Sequence, residues 1–175
     1  FYLMTVFALS WGTSALHYSR KDFLLMQLLG VVFFALAIPV SALLAERGRR
    51  RMLAAATILI GLFGFAMAPL FQAGTAGVVV MLCLGLALMG LTYGPLGTVV
   101  AELFPTPLRY TGSSLAFSLA GIFGASLAPY IATWLAQAHG LAWVGYYLTA
   151  AAAITGLGLL LIRETKDTDL IDPLN

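Results

Sequence analysis

From Met52 to Ala101 the chain runs for fifty residues without a single Asp, Glu, Lys or Arg. A second charge-free run extends from Tyr110 to Ile162 and a third from Phe23 to Ala45. A helix crossing the hydrocarbon core of a bilayer needs ~20 apolar residues, and ~18 or more without charge read as a span. Each of the two longer runs is more than twice that length, so each must fold back on itself as a pair of helices. A buried helix of a soluble domain would keep a charged outer face. Only 9% of this chain is charged and 61% is apolar, whereas soluble domains are about a quarter charged. A membrane barrel is excluded as well, because its strands are ~10 residues long with alternating polarity and no such alternation is visible. The fold class is therefore an all-α membrane protein.

The spans predicted from these runs are 1–16, 23–45, 52–72, 76–100, 110–136 and 141–162, followed by a polar tail, 163–175. The first is short and lacks both an initiator Met and a signal-peptide pattern. It reads as the second half of a helix, and the chain as a fragment of a longer polypeptide. Polar turns are expected at His17–Asp22, at Glu46–Arg51, at Gln72–Gly77, at Glu102–Arg109 with its two helix-breaking prolines, and at His139. The lone Cys83 and the isolated His17 and His139 offer neither a disulfide nor a metal-ligand spacing. A net charge of +2 does not point to nucleic acid. No metal and no cofactor are expected; the lipid bilayer is the expected partner.

Four arginines crowd the stretch "ERGRRR": Arg47, Arg49, Arg50 and Arg51. The alternation of spans puts this turn, Glu102–Arg109 and the tail on one side, with seven of the nine cations; Arg20 and Lys21 lie on the other. The excess of Lys and Arg on cytoplasmic loops makes the seven-cation side cytoplasmic.

Small residues recur every fourth position at Gly90 and Gly94, and at Ala116, Ala120, Gly124 and Ala128. Such stripes let helices approach closely in lipid. Gly94-Pro95 stands inside a span, where it is expected to kink or loosen the helix, with further bends possible at Pro39, Pro69 and Pro129. No Asp, Glu, Lys, Arg or His falls mid-span, so what the spans offer for substrate contact is neutral. Tyr93 beside the glycine-proline pair is the first candidate, with Trp11, Ser118 and Tyr130; Ser10, Thr13, Gln27, Thr92, Ser126 and Thr133 are also available. Each of these also suits ordinary interhelical hydrogen bonding. Trp134, Trp143, Tyr146 and Tyr147 suit an interfacial aromatic belt.

Three stretches carry a resemblance. "LLAERGRRR" resembles the Gly-x-x-x-Asp-Arg-x-Gly-Arg-Arg loop that joins the second and third helices of each half of the major facilitator superfamily. Glu46, Arg47, Arg50 and Arg51 match it, while Gly48 falls one position early and leaves Arg49 at the usual glycine. "AELFPTPLRYTG" resembles the loop between the tenth and eleventh helices of the metabolite:proton symporter branch, with Ala101 for its first proline. "RETK" resembles the Pro-Glu-Thr end of the last helix, with Arg163 for proline. The resemblance covers essentially the whole chain. It implies the C-terminal six-helix half of a twelve-helix fold, its first helix truncated, in a bacterial inner membrane. It also implies a secondary transporter of a small polar metabolite, an organic acid or a zwitterion, carried with protons by alternating access. A sugar-porter-like facilitator and a channel or structural bundle are the alternatives. A membrane enzyme would need a catalytic constellation, and none is visible. By the same resemblance Glu46, Arg47, Arg50, Arg51, Glu102, Arg109 and Glu164 would form a cytoplasmic gating network of arginine–carboxylate pairs. If protons are coupled, the coupling group is expected in the half not included here.

Overall fold

The computed structural model describes residues 1–46 and 48–161, and every element among them is helical. A π-helical stretch, Leu3–Phe7, leads into α1 (Ala8–Ser14). Then come α2 (Arg20–Ala45), α3 (Arg49–Gln72) and α4 (Gly74–Glu102). A single 3₁₀ turn, Thr106–Leu108, opens α5 (Arg109–Gly121), which passes through a second π-helical stretch, Ile122–Leu127, into α6 (Ala128–His139). The last helix is α7 (Leu141–Leu161). Among the described residues five stretches, Arg20–Ala45, Arg49–Gln72, Gly74–Glu102, Thr106–His139 and Leu141–Leu161, are long and apolar enough to cross a membrane.

Local chemistry sets the helix ends. Ser19 caps α2: its hydroxyl accepts the Asp22 N–H at 3.1 Å, and Asp22 in the first turn suits the positive pole of the helix. The expected Gln72–Gly77 turn is shorter than its glycines imply, since only Ala73 separates α3 from α4. The helical backbone starts at Gly74, and Gly77 packs against the carbonyl of Leu70 instead of turning.

The main core lies where the first π stretch meets α2, α3, α4, α6 and α7. Met4 and Phe7, Phe23, Met67 and Phe71, Met81, Leu82 and Leu86, and Val144 are all buried in one cluster. A smaller cluster of Leu53, Val99 and Leu159 joins α3, α4 and α7 at the arginine end. Outside these, Leu28, Leu36, Leu43, Ile58 and Leu157 are each more than 60% exposed. Large apolar side chains turned outward are what lipid-facing helices require.

The helix is not interrupted at Gly94-Pro95: α4 runs from Gly74 to Glu102 with Pro95 inside it. The glycines serve contact with α2. A methyl group at Gly90 would overlap the Phe34 carbonyl, and one at Gly94 would overlap the Ser41 hydroxyl. Ser41 is fully buried there and donates to Ile38 O at 2.8 Å. The looser geometry lies in the two π stretches. Pro129 has no N–H to return to Ala125 four residues back, and the π register falls immediately before it. The Ala116–Ala128 stripe meets no partner of the kind seen at Gly90: nothing described lies within 4 Å of a methyl placed at Gly124.

Candidate functional site

The charged end of the bundle is organised by one glycine. Between α2 and α3, Gly48 has φ +150°, ψ 105°; its N–H bonds Ala45 O at 3.1 Å, and its carbonyl accepts from Met52 N–H at 3.0 Å. An L side chain rarely adopts that backbone. The glycine therefore stands where the turn needs it, one position before the place it takes in the resembled loop. Arg49 becomes the first residue of α3.

Arg49 Nη1 is ion-paired with Glu102 Oε1 at the end of α4, and the carboxylate side chain is 9% exposed against 30% for the arginine. Its neighbour Arg50 donates through Nε to Leu159 O at 2.9 Å and through Nη2 to Leu160 O at 3.1 Å. Those carbonyls belong to α7, so the guanidinium bonds the backbone of a neighbouring helix. Two successive arginines thus join the start of α3 to α4 and α7. Arginine suits both tasks because its planar fork offers several donors while staying charged.

The other charged candidates are more dispersed. Arg51 is exposed and borders a groove of ≈ 390 Å³ with Leu44, Met52, Leu59 and Leu91. Glu46 is exposed and has no ion pair among the described residues. Arg109 is half-buried; its Nε, and Ser113 Oγ one turn on, are buried without a hydrogen-bond partner among the described residues. Arg47 and Glu164 lie outside the described residues. Glu102 is ion-paired with Arg49, which motif matching passed over because glycine usually stands there. Counting arginines per turn would have kept it as a candidate.

The neutral candidates stand apart from one another. Tyr93 is 54% exposed, with its ring edge-on to Phe34 at 5.5 Å. Trp11 is half-buried and stacks on Phe7 at 6.0 Å. Ser118 on α5 and Tyr130 on α6 are exposed. No hydrogen bond or ring contact joins any two of these four among the described residues. The aromatic residues near His139 do converge: Trp134, His139, Trp143 and Tyr146 follow one another with ring centroids 5.2–5.9 Å apart, and Tyr146 reaches Phe65 at 5.9 Å.

Gln27 is a buried polar residue that ties α2 to the first π stretch. It is 7% exposed, and its Nε2 donates to Met4 O at 2.9 Å and Thr5 O at 2.8 Å. Both carbonyls belong to the first π stretch, so a side chain of α2 satisfies backbone groups of the preceding element.

The profile of the Major Facilitator Superfamily matches residues 1–173. The chain is 46% identical to the inner membrane metabolite transport protein YhjE of Escherichia coli K12, over 97% of the chain and 40% of that protein. It is 34% identical to the citrate-proton symporter of Klebsiella pneumoniae, over 90% of the chain and 36% of the symporter. It is 29% identical to the shikimate transporter of Escherichia coli K12, over 94% of the chain and 39% of the transporter. The chain thus spans well under half the length of these curated relatives. No solved structure matches it. With five bilayer-length helices and a profile match along almost its whole length, the chain belongs to the Major Facilitator Superfamily, as part of a helical half of that membrane transporter fold.

Proposed function

We propose that this chain is the C-terminal half of a secondary transporter in a bacterial inner membrane. Its substrate is a small polar metabolite, an organic acid or zwitterion, moved with protons by alternating access. The relatives' names support the solute class: metabolite, citrate-proton, shikimate and proline/betaine carriers all cover nearly the whole chain. The order of the three loop motifs supports the C-terminal placement.

The observation that carries the mechanism is the partly buried ion pair of Arg49 with Glu102, which joins the start of α3 to the end of α4. A rocking half needs contacts made in one state and broken in the other, and a ligand or a contact biases the equilibrium only by its difference between states. A partly buried pair worth ~1–3 kcal/mol shifts such an equilibrium by about one to two decades. That is the right size for a latch that still opens. The described spans contain no mid-span Asp, Glu, Lys or Arg, so the proton-coupling group belongs to the rest of the transporter.

The test is uptake of radiolabelled shikimate, L-proline and citrate by cells expressing the full-length protein. Saturable uptake of one of them, collapsed by a protonophore, is expected. Flux that rises linearly with concentration would mean a pore. Saturable uptake indifferent to the protonophore would remove proton coupling.

A further inference from the structure

We infer that the recess between the first two helices is a capture site for a monocarboxylate that also carries O–H or N–H donors. The inference rests on the transporter reading above and adds to it a place and a solute chemistry. The recess holds ≈ 500 Å³ and is lined by Thr5, Ser10, Thr13, Gln27 and Arg20, with Val6 and Leu9 as its apolar wall. That volume suits a small metabolite. It lies at the start of α2, whereas the Arg49–Glu102 pair lies beyond its far end; a helix of 26 residues separates them by about 39 Å.

The hydrogen-bond inventory of the lining is one-sided. Thr13 Oγ1 donates to Leu9 O at 2.8 Å or Ser10 O at 3.1 Å, and Thr5 Oγ1 donates to Phe1 O at 3.1 Å. A hydroxyl has one hydrogen to give, so both are committed. Gln27 has two amide hydrogens, and both go to the π-stretch carbonyls. What these three residues still offer is lone pairs: two hydroxyl oxygens and the amide oxygen of Gln27. Of the hydroxyls lining the recess, only that of Ser10 is uncommitted among the described residues. The interior is therefore rich in acceptors.

The mouth has the opposite character. Arg20, the first residue of α2, is exposed and has no ion pair among the described residues. The Asp22 carboxylate nearby accepts from the Ser19 hydroxyl at 2.7 Å and does not line the recess. Seven residues of helix put Gln27 about 10 Å deeper than Arg20, and both line the same recess.

A solute with one carboxylate at Arg20 and hydroxyl or protonated-amine hydrogens toward Thr5, Thr13 and Gln27 satisfies both parts. A tricarboxylate brings further anions against acceptors that cannot receive them. A quaternary ammonium has no N–H to donate. The recess thus selects hydroxy acids such as shikimate, or amino acids such as L-proline, over citrate and glycine betaine.

The test uses the purified full-length protein in detergent, in a background without other reactive cysteines (Cys83→Ser included), with Ser10→Cys as reporter and Thr13→Cys as a second reporter. The probes are an anionic sulfonatoethyl and a cationic trimethylammonioethyl methanethiosulfonate. The anionic-to-cationic rate ratio is expected to fall about tenfold in Arg20→Gln, the scale of local electrostatic focusing. Shikimate and L-proline should slow labelling, while citrate and glycine betaine should not. With the Ser10→Cys reporter, Thr13→Val should abolish protection by shikimate and leave labelling itself intact. An unchanged rate ratio, or protection that is equal for all four solutes or absent for all, would overturn the site. Uptake measured on the same variants separates the two readings. Saturable uptake without protection leaves the transporter standing and removes this recess; selective protection without uptake of any solute keeps the recess and counts against the transporter.

Discussion

Arg49, the first residue of α3, is ion-paired with Glu102, the last residue of α4, and each charge sits at the unfavourable pole of its own helix. A cation at a helix N-terminus and an anion at a C-terminus each cost a few tenths of a kcal/mol to about 1 kcal/mol. Pairing offsets both. Glu102→Gln leaves a partly buried guanidinium without its carboxylate, at a cost of roughly 1–3 kcal/mol. Uptake by the full-length protein should fall more than its membrane abundance. The charge reversal Arg49→Glu with Glu102→Arg keeps the pair and puts both charges at favourable poles. Its thermal stability in detergent should equal or exceed that of the parent, while each single reversal lowers it. A double reversal as unstable as the singles would show that pairing does not hold these ends together.

Arg50 makes a different kind of contact. Its bonds go to two backbone carbonyls of α7, which are present whatever side chains surround them. Hydrogen bonds from charged groups contribute about 1.5–3 kcal/mol. Arg50→Ala should therefore lower thermal stability and membrane abundance together with uptake, in proportion. Arg50→Lys should recover only part of the loss, because an ammonium cannot reproduce the two-point fork. Normal abundance with abolished uptake in Arg50→Ala would place this residue with Arg49 and Glu102 instead.

The helical, membrane-crossing character of the chain was legible because charge is confined to a few turns. Element ends were less so. Arg20, Lys21 and Asp22, and Arg49, Arg50 and Arg51, read as loop residues because they are charged, yet each trio begins a helix. A polar residue at the end of a span can stay helical at no cost, since water or headgroups solvate it there. Which arginine of the cluster pairs with Glu102 was not legible. Arg49 and Arg50 differ by 100° of helix rotation, and only the packing of α3 between α4 and α7 decides which faces Glu102 and which faces Leu159. The first π stretch was hidden for a similar reason: its spare carbonyls are satisfied by Gln27, more than twenty residues away.

Gly90 and Gly94 should be intolerant of any side chain. A methyl at either meets backbone or the buried Ser41 on α2, and backbone cannot move aside as a flexible side chain can. Overpacking of this kind costs about 1–3 kcal/mol, or more where nothing yields. Gly90→Val and Gly94→Val should lower abundance and thermal stability, with any uptake loss following protein level. Gly97 on the same helix has nothing within 4 Å, so Gly97→Ala should leave this stability unchanged. A stable Gly94→Val protein would argue against the α2–α4 contact.

The two ends of α2 should lie on opposite sides of the membrane. The seven-to-two division of cations sets the arginine end inside. In sealed cells a cysteine at Ser19 should react with an impermeant maleimide added outside, and one at Glu46 should react only after permeabilisation. Both residues are exposed in the structure. Labelling of both from outside would reject the topology.

Tyr93 remains the foremost candidate for solute contact deeper in this chain, and the structure sharpens how to test it. Its ring is held edge-on by Phe34 at 5.5 Å, while its hydroxyl has no hydrogen-bond partner among the described residues. An unpaired phenol at 54% exposure is available to donate to a carboxylate, and no buried group depends on it. Tyr93→Phe removes the hydroxyl and keeps the ring contact, so protein level and thermal stability should not change. If the hydroxyl meets a charged solute, the lost bond is worth about 1.5–3 kcal/mol, one to two decades of affinity. Apparent affinity for the transported solute should weaken about tenfold or more. Phe34→Ala is the companion variant: it frees the ring without touching the hydroxyl, and should weaken affinity through loss of orientation, with Phe34→Tyr or Phe34→Leu recovering most of it. Unchanged affinity in Tyr93→Phe, at normal abundance, would remove this side chain from the path of the solute whatever Phe34 does.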